Sequence, residues 1–528
     1  MRGATDRSRF GPAPQAQRSS ALLGTVAFLV GCSTSKPPAA ATLHFVRGGL
    51  LVDGAYTPRP WTPGESVTIG DISAIAPRLA ECVEVARVDL GDVSRMTVAG
   101  APAPDTDLAF SPDGALLAVG SFLGEVVVLD VATGAVTARR TLGEAMVRRV
   151  AWAPDGKTLY AGEQSPDASL RALDPATLAD RWRLDLAERV GRSTLPAGED
   201  LYGIYSLPGV YGLDVLAGGD ILVSAAHGWS DKDGARLNRS QLLRVRADGS
   251  VLATWPAEPA DLVLLHPAVD QAGGRVAVPV TRSASGAAPE DYPIGGLQLL
   301  ELDGLRPVGS VVVPPLLPWF TYTYLWQAHD LDVARDTVLL GLGDGRLVLA
   351  ALDGSLRTTV AGGSPVLAGD VPVAASIGHG LLVGDTAVYL TSGTNIPWGA
   401  AAPDLRPPSP HPDESTLFVA DLDGTHRWSF HGAWDVQGLT LAPDGRTLVV
   451  GAGERHSDSR RDLYGALVFD LAGPERAGDA RLLTTCTTEG PVFFQQAVSP
   501  AGVLALAEVP YPTPDGGVGG AYRVVLFR

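Results

Sequence analysis

TDLAFSPDGALLAVGSFLGEVVVLDVATGAVTARRTL, residues Thr106 to Leu142, decides the fold. Short apolar runs rich in Val and Leu are separated by Ser-Pro-Asp-Gly, Ser-Phe-Leu-Gly and Ala-Thr-Gly, each a turn signal of Gly, Pro, Asp or Ser. Runs this short, divided this regularly, describe a four-stranded antiparallel meander. The next stretch repeats it: RRVAWAPDGKTLYAGEQSPDASLRALDPATLADRWRLDL, Arg148 to Leu186. One such sheet cannot bury both of its faces, so copies must stack, and repeats of about 40 residues with four strands each are the signature of propeller blades.

Looser copies follow. A third runs from Tyr211 to Trp255, and a fourth uses LLHPAVDQAGGRVAVPV and GLQLLELDGLRPVGSVVV. The fifth is compact, from Ala328 to Val360. GHGLLVGDTAVYLTSG and STLFVADLDGTHRWSF make a sixth, and QGLTLAPDGRTLVVGAG, GALVFDLAG and ARLLTTCT a seventh. QQAVSPAGVLALAEV and AYRVVLFR leave the last unit one strand short at Arg528. Val83 to Leu90, or the SRMTVAG that follows, is the spare strand, and pairing it into the last sheet closes the ring and removes an exposed edge. The expected fold is all-β: one β-propeller of eight four-stranded blades, with seven as the alternative, closed by an N-terminal strand.

Ser111 to Gly134, SPDG…LAVGS…VVVLDVATG, resembles the WD-repeat-like and YVTN families of propellers. The resemblance spans residues 83–528 and implies architecture without activity. The Gly-His and Trp-Asp pairs of true WD repeats do not recur: Gly378-His379 and Trp434-Asp435 each stand alone.

The N-terminus carries a different signal. Arg2, Arg7, Arg9 and Arg18 precede the apolar run Ala21 to Val30, which leads into Gly31-Cys32. A basic region, an apolar core of about ten residues and a small residue before the cut describe a secretory signal, and that core is too short to span a bilayer. Leu29-Val30-Gly31-Cys32 resembles the bacterial lipobox, which implies a signal peptide over 1–31 and lipidation, palmitate included, of Cys32. Residues 32–42 then read as anchor and flexible tether, 43–80 as a small strand-rich extension outside every blade, and 81–528 as the propeller. A lipid-anchored monomer in the cell envelope, periplasmic or at the outer membrane or cell surface, is expected. In that oxidising setting Cys82 and Cys486, the other two cysteines, are expected to form a disulfide. In the eight-blade reading they meet at the seam of the ring, where closing so long a loop is worth up to about 4–5 kcal/mol.

Net charge is −17 from 41 basic and 58 acidic residues, with no basic cluster, which argues against a nucleic-acid partner. Function is therefore sought on the face carrying long loops, where a rigid scaffold generally presents its binding residues. That face receives SDKDGARLN, SASGAAPEDYPI, IPWGAAAPDLRPPSPHPDE and ERHSDSRRD between second and third strands, and PPLLPWFTYTYLW between blades. Trp319, Phe320, Tyr322, Tyr324 and Trp326 make the last either an aromatic platform for a ligand or a plug over the channel. His266, His329 and His379 fall at or near the starts of innermost strands. Converging, they suit a metal or acid–base chemistry; apart, they are histidines bonded singly in loops. QAHDLDV (Gln327 to Val333), YGLDVLAGGDILVSAAHG and DGTHRWSF resemble arylsulfotransferase-type propellers, which implies His329 as the candidate nucleophile. No cofactor, zinc set, haem motif or nucleophile elbow is present in the sequence. A propeller that binds a protein or envelope ligand is the leading expectation; a channel-mouth enzyme, arylsulfotransferase-like or a metal-assisted lyase or hydrolase, is the alternative.

Overall fold

In the SPDG turn of the first repeat, Gly114 adopts a φ of +71°, a left-handed conformation that glycine takes without penalty. Its N–H donates to Ser111 O at 2.8 Å, Ser111 Oγ donates to Asp113 Oδ1 at 2.6 Å, and the Ala115 N–H donates to the same carboxylate at 3.0 Å. A turn that satisfies its own polar groups can reverse the chain within a few residues, so the strands on either side pair directly.

The computed structural model describes residues 42–46, 49–53, 80–93, 106–143, 145–193, 206–230, 236–282, 296–314, 325–363, 365–368, 371–392, 411, 413–432, 435–453, 464–471, 482–513 and 517–528. The expected signal segment, 1–31, and Cys32 lie outside the described residues. Within the described set many of the strands fall into four-stranded antiparallel groups that follow one another along the chain, labelled here blades one to eight in chain order from Asp107, with the innermost strand of the fourth split into Leu262–Leu264 and Ala268–Asp270. Blade one comprises Asp107–Phe110, Leu116–Gly120, Glu125–Asp130 and Val136–Thr141, paired in that order. Blade eight takes Val492–Val498, Leu504–Glu508 and Tyr522–Phe527 from the C-terminus and Glu84–Gly91 from the N-terminal side. The fold is a β-propeller. Of the two spare strands the sequence offers, Glu84–Gly91 is the one used, and the Val83 and Arg528 backbones exchange hydrogen bonds at 2.9 Å beside it.

Burial explains the composition of the strands. Second and third strands lie between neighbouring blades and are covered on both faces: Leu159–Gln164, Thr337–Leu342 and Thr386–Thr391 are buried at every position. They therefore read as continuous apolar runs with no strict alternation. Outer strands such as Asp180–Asp185 keep one face in water. The core is consequently a set of apolar layers between blades. Val88 and Leu90 of the N-terminal strand pack with Leu117 and Val119 of blade one. On the other side of blade eight, Leu504, Leu506 and Val525 pack with Val449 and Cys486 of blade seven.

The N-terminal chain does more than close the last blade. Thr42–Val46 and Gly49–Asp53 form a hairpin whose second strand pairs antiparallel with His426–Gly432, the outer strand of blade six. Ala80–Glu81 then pairs in parallel with Thr484 and Thr485 on the outer strand of blade seven. The stretch that the sequence places outside every blade thus begins on one blade's rim and ends on the next. Between this contact and the blade-eight strand, Cys82 forms a disulfide with Cys486, Cα to Cα 4.9 Å.

The described residues contain one helix, Ala187–Val190, and no helix long and apolar enough to cross a membrane.

Candidate functional site

In a meander, the turns joining first to second and third to fourth strands share one face, and the remaining connections share the other. The first kind is short here: 111–115, 153–158, 216–220 and 246–250 each close on a backbone hydrogen bond and a glycine at positive φ. On the other face the chain leaves Thr386–Thr391 and returns at Thr416–Asp421, and leaves Thr447–Gly453 and returns at Tyr464–Asp470. The two faces differ as the loop lengths in the sequence require.

The described bases of these connections are polar. Arg192, after the short helix, pairs with Asp167, Asp185 and Glu188. In blade three, Ile221–Ser230 and Arg236–Val245 continue pairing to the Ser230–Arg236 bridge, so a tall hairpin stands where the sequence suggests a nine-residue loop. It carries His227 and Trp229 with ring centroids 4.5 Å apart. At blade six the Asp413 N–H donates to His411 Nδ1 at 3.1 Å. His431 stands 3.8 Å from the Asp413 carboxylate and 3.1–3.2 Å from the Ser429 and Thr416 hydroxyls.

Hydrogen bonds between innermost strands set the relative heights of the channel residues. Asp107 Oδ2 in blade one accepts from the Val150 N–H in blade two at 2.8 Å. Asp270 Oδ2 in blade four accepts from Val333 N–H in blade five at 2.8 Å. Asp330 Oδ2 in blade five accepts from Leu382 N–H in blade six at 2.6 Å.

His266 belongs to this set. It lies between Leu262–Leu264 and Ala268–Asp270 of blade four, with Nε2 3.1 Å from Asp214 Oδ2 on the innermost strand of blade three. Its fit is close: a Cβ on Gly212 would lie 2.8 Å from His266 Cδ2.

His379 is on Ile377–Val383, beside a register irregularity between Ile377 and His379. Burial lowers its pKa to about 4, so it stays neutral at ordinary pH. It precedes Leu382, the residue level with Asp330, by three positions, or roughly 10 Å of strand toward the loop-rich end.

His329 is on the innermost strand of blade five, Leu325–Asp332, with irregularities on both sides of Ala328; its side chain lies outside the described set, as does that of Trp326. Trp319, Phe320, Tyr322 and Tyr324 lie outside the described residues. The structure therefore brings His266 to Asp214 and sets His379 at the loop-rich end. Among the described side chains, no group of three His, Cys, Asp or Glu residues is arranged to hold a metal ion.

One cluster at the loop-rich end of the channel has no counterpart in the sequence reading. The Arg148 guanidinium lies 3.9 Å from the Tyr211 ring centroid and donates to Gln164 Oε1, which joins the innermost strands of blades two and three. The visible signal was the polar pair Arg148-Arg149 inside an otherwise apolar first strand. Cation–π contact and amide pairing hold these groups in place.

No family model matches the sequence, and no curated protein matches it. Among solved structures, the chain is similar to the C-terminal WD40 domain of Sif2, at 13% identity and a TM-score of 0.52 over 86% of this chain and 99% of that one. It is also similar to BamB from Moraxella catarrhalis, at 13% identity and a TM-score of 0.46 over 85% of this chain and 98% of that one. The likeness to the WD40 domain shows the propeller fold.

Proposed function

We propose that this chain is a lipid-anchored propeller of the cell envelope that binds a protein or envelope ligand through its loop-rich face. The carrying observation is the asymmetry of the two faces. Self-satisfied glycine turns close one face, while the other gathers the long connections, the tall blade-three hairpin and the Arg148–Tyr211 cluster. A closed ring of stacked sheets is a rigid base for such elements, and large aromatic and arginine side chains on a rigid base dominate protein recognition. The His266–Asp214 pair supports binding over catalysis, because that imidazole already serves to join two blades.

The anchor rests on the sequence: four arginines, a short apolar core and Leu29-Val30-Gly31-Cys32. Two or more acyl chains would hold the protein firmly at a membrane. Feeding cells an alkyne-tagged palmitate tests it: label is expected on the wild type and absent from Cys32→Ser, and an unlabelled wild type would remove the anchor from this reading. For the binding face, a pulldown with Pro314–Trp326 deleted is expected to lose the principal partner, and an unchanged partner set would count against that segment's role.

A further inference from the structure

We propose that the Cys82–Cys486 disulfide is a reducible clasp that gates the outer edge of blade seven without opening the ring.

Apart from the hairpin on blade six, the N-terminal chain grips blades seven and eight on the two sides of Cys82, and these two grips differ greatly in strength. Behind Cys82, Ala80 and Glu81 make a two-residue parallel bridge to Thr484 and Thr485. Ahead of it, Glu84–Gly91 pairs along most of Tyr522–Phe527, and its Val88 and Leu90 are buried. Ion pairs reinforce that forward grip: Arg87 bonds Glu84 and Glu489, and Arg523 bonds Glu489 and the fully buried Glu508.

Ordering a residue costs backbone entropy that a single net hydrogen bond barely offsets. A two-residue bridge therefore does not hold itself, and the disulfide beside it supplies the difference. The forward grip needs no such help.

The bond is placed for attack. Cys486 is buried, whereas Cys82 is half-buried in the break between the two grips, next to the 64%-exposed Val83. A dithiol reductant balances the step. Its first thiolate attacks Cys82 Sγ and expels the Cys486 thiolate; its second thiolate then displaces Cys82 from the mixed disulfide. Two electrons and two protons end on the cysteine thiols, and the reductant leaves as its cyclic disulfide. Residues 80–82 then quit the rim and uncover the edge of Leu482–Thr488, which otherwise has a strand of its own chain beside it.

Hydrogen exchange of the full chain, with and without dithiothreitol and with alkylation confirming two new thiols, tests the clasp. Reduction is expected to speed exchange roughly tenfold or more at residues 80–82 and along Leu482–Thr488, with Glu84–Gly91 and Thr447–Gly453 unchanged. Cys82→Ser, which leaves the buried cysteine intact, is expected to show the same pattern without reductant. Unchanged rates in the reduced protein or in Cys82→Ser would overturn the gating role. Faster exchange across Glu84–Gly91 as well would show that the bond holds the ring itself, and would equally overturn it.

Discussion

The Asp330 carboxylate in blade five accepts the Leu382 backbone N–H of blade six at 2.6 Å while also accepting its neighbour Leu331 N–H at 2.8 Å. A partly buried acceptor with two backbone donors ties one innermost strand to the next and leaves two N–H groups without it if removed. Burial pushes the carboxyl above its usual range, against the pull of these donors. Because the folded pKa is raised, the charged form is the costly one, and this contribution to stability falls as pH rises through the carboxylate range.

Asp330→Ala is expected to cost about 1–3 kcal/mol, the penalty for two partly buried donors left unsatisfied. Asp330→Asn keeps an acceptor oxygen and removes the buried charge, so it is expected to stay within about 1 kcal/mol of wild type at pH 7. Urea unfolding of the two variants checks this; equal losses would show that the charge matters and the acceptor does not.

For His379 the sign follows from a lowered folded pKa. Its folded pKa of about 4 lies below the ordinary 6.5, so between those values the unfolded chain takes up a proton that the fold refuses. Stability is expected to rise with pH from 4 to 6.5, by at most about 3 kcal/mol from this group, and by less where water reaches the half-buried ring. Denaturant midpoints of wild type and His379→Gln across that range should converge at acid pH, and parallel curves would contradict the burial of a neutral imidazole.

His266 and Asp214 are both partly exposed, so their contact is expected to be small. A double-mutant cycle on His266→Ala and Asp214→Ala should give a coupling of about 0.2–1 kcal/mol. No coupling would remove His266 from the contacts between blades three and four.

At the seam, Arg523 (12% exposed) compensates the fully buried Glu508. Burial raises the Glu508 pKa and the Arg523 guanidinium opposes that rise. Arg523→Ala is expected to cost about 3–5 kcal/mol by leaving that carboxylate unpaired. Glu489→Ala, on the exposed side of the same network, should cost about 1 kcal/mol or less. Comparable losses would place the energy of the seam in surface charge instead.

The blades were legible because their turns are: Ser111-Pro-Asp-Gly114 announces a reversal by local chemistry alone. Closure by the strand at Glu84–Gly91 followed from counting strands, and the Cys82–Cys486 bridge from the expected oxidising setting, with the count placing it at the seam. Strands were read into 43–80, but the pairing of the Thr42–Asp53 hairpin with blade six was not legible, because a strand added to a rim takes no part in the repeat. Nor was the height of the blade-three hairpin, since Ser230 and Arg236 are polar where strand pairing continues past the buried layer. His266, His329 and His379 were placed on or beside innermost strands, yet the side-chain distances that decide chemistry depend on bulges next to them, which no periodicity records.

Site-specific photo-crosslinking in the native host tests the proposed binding face most directly. With the crosslinker at Glu188 or Ser392 on the loop-rich face, adducts to one partner are expected; at Ala132 or Lys157, exposed in tight turns opposite, none are. Adducts from the tight-turn face alone, or none from either, would contradict the assignment.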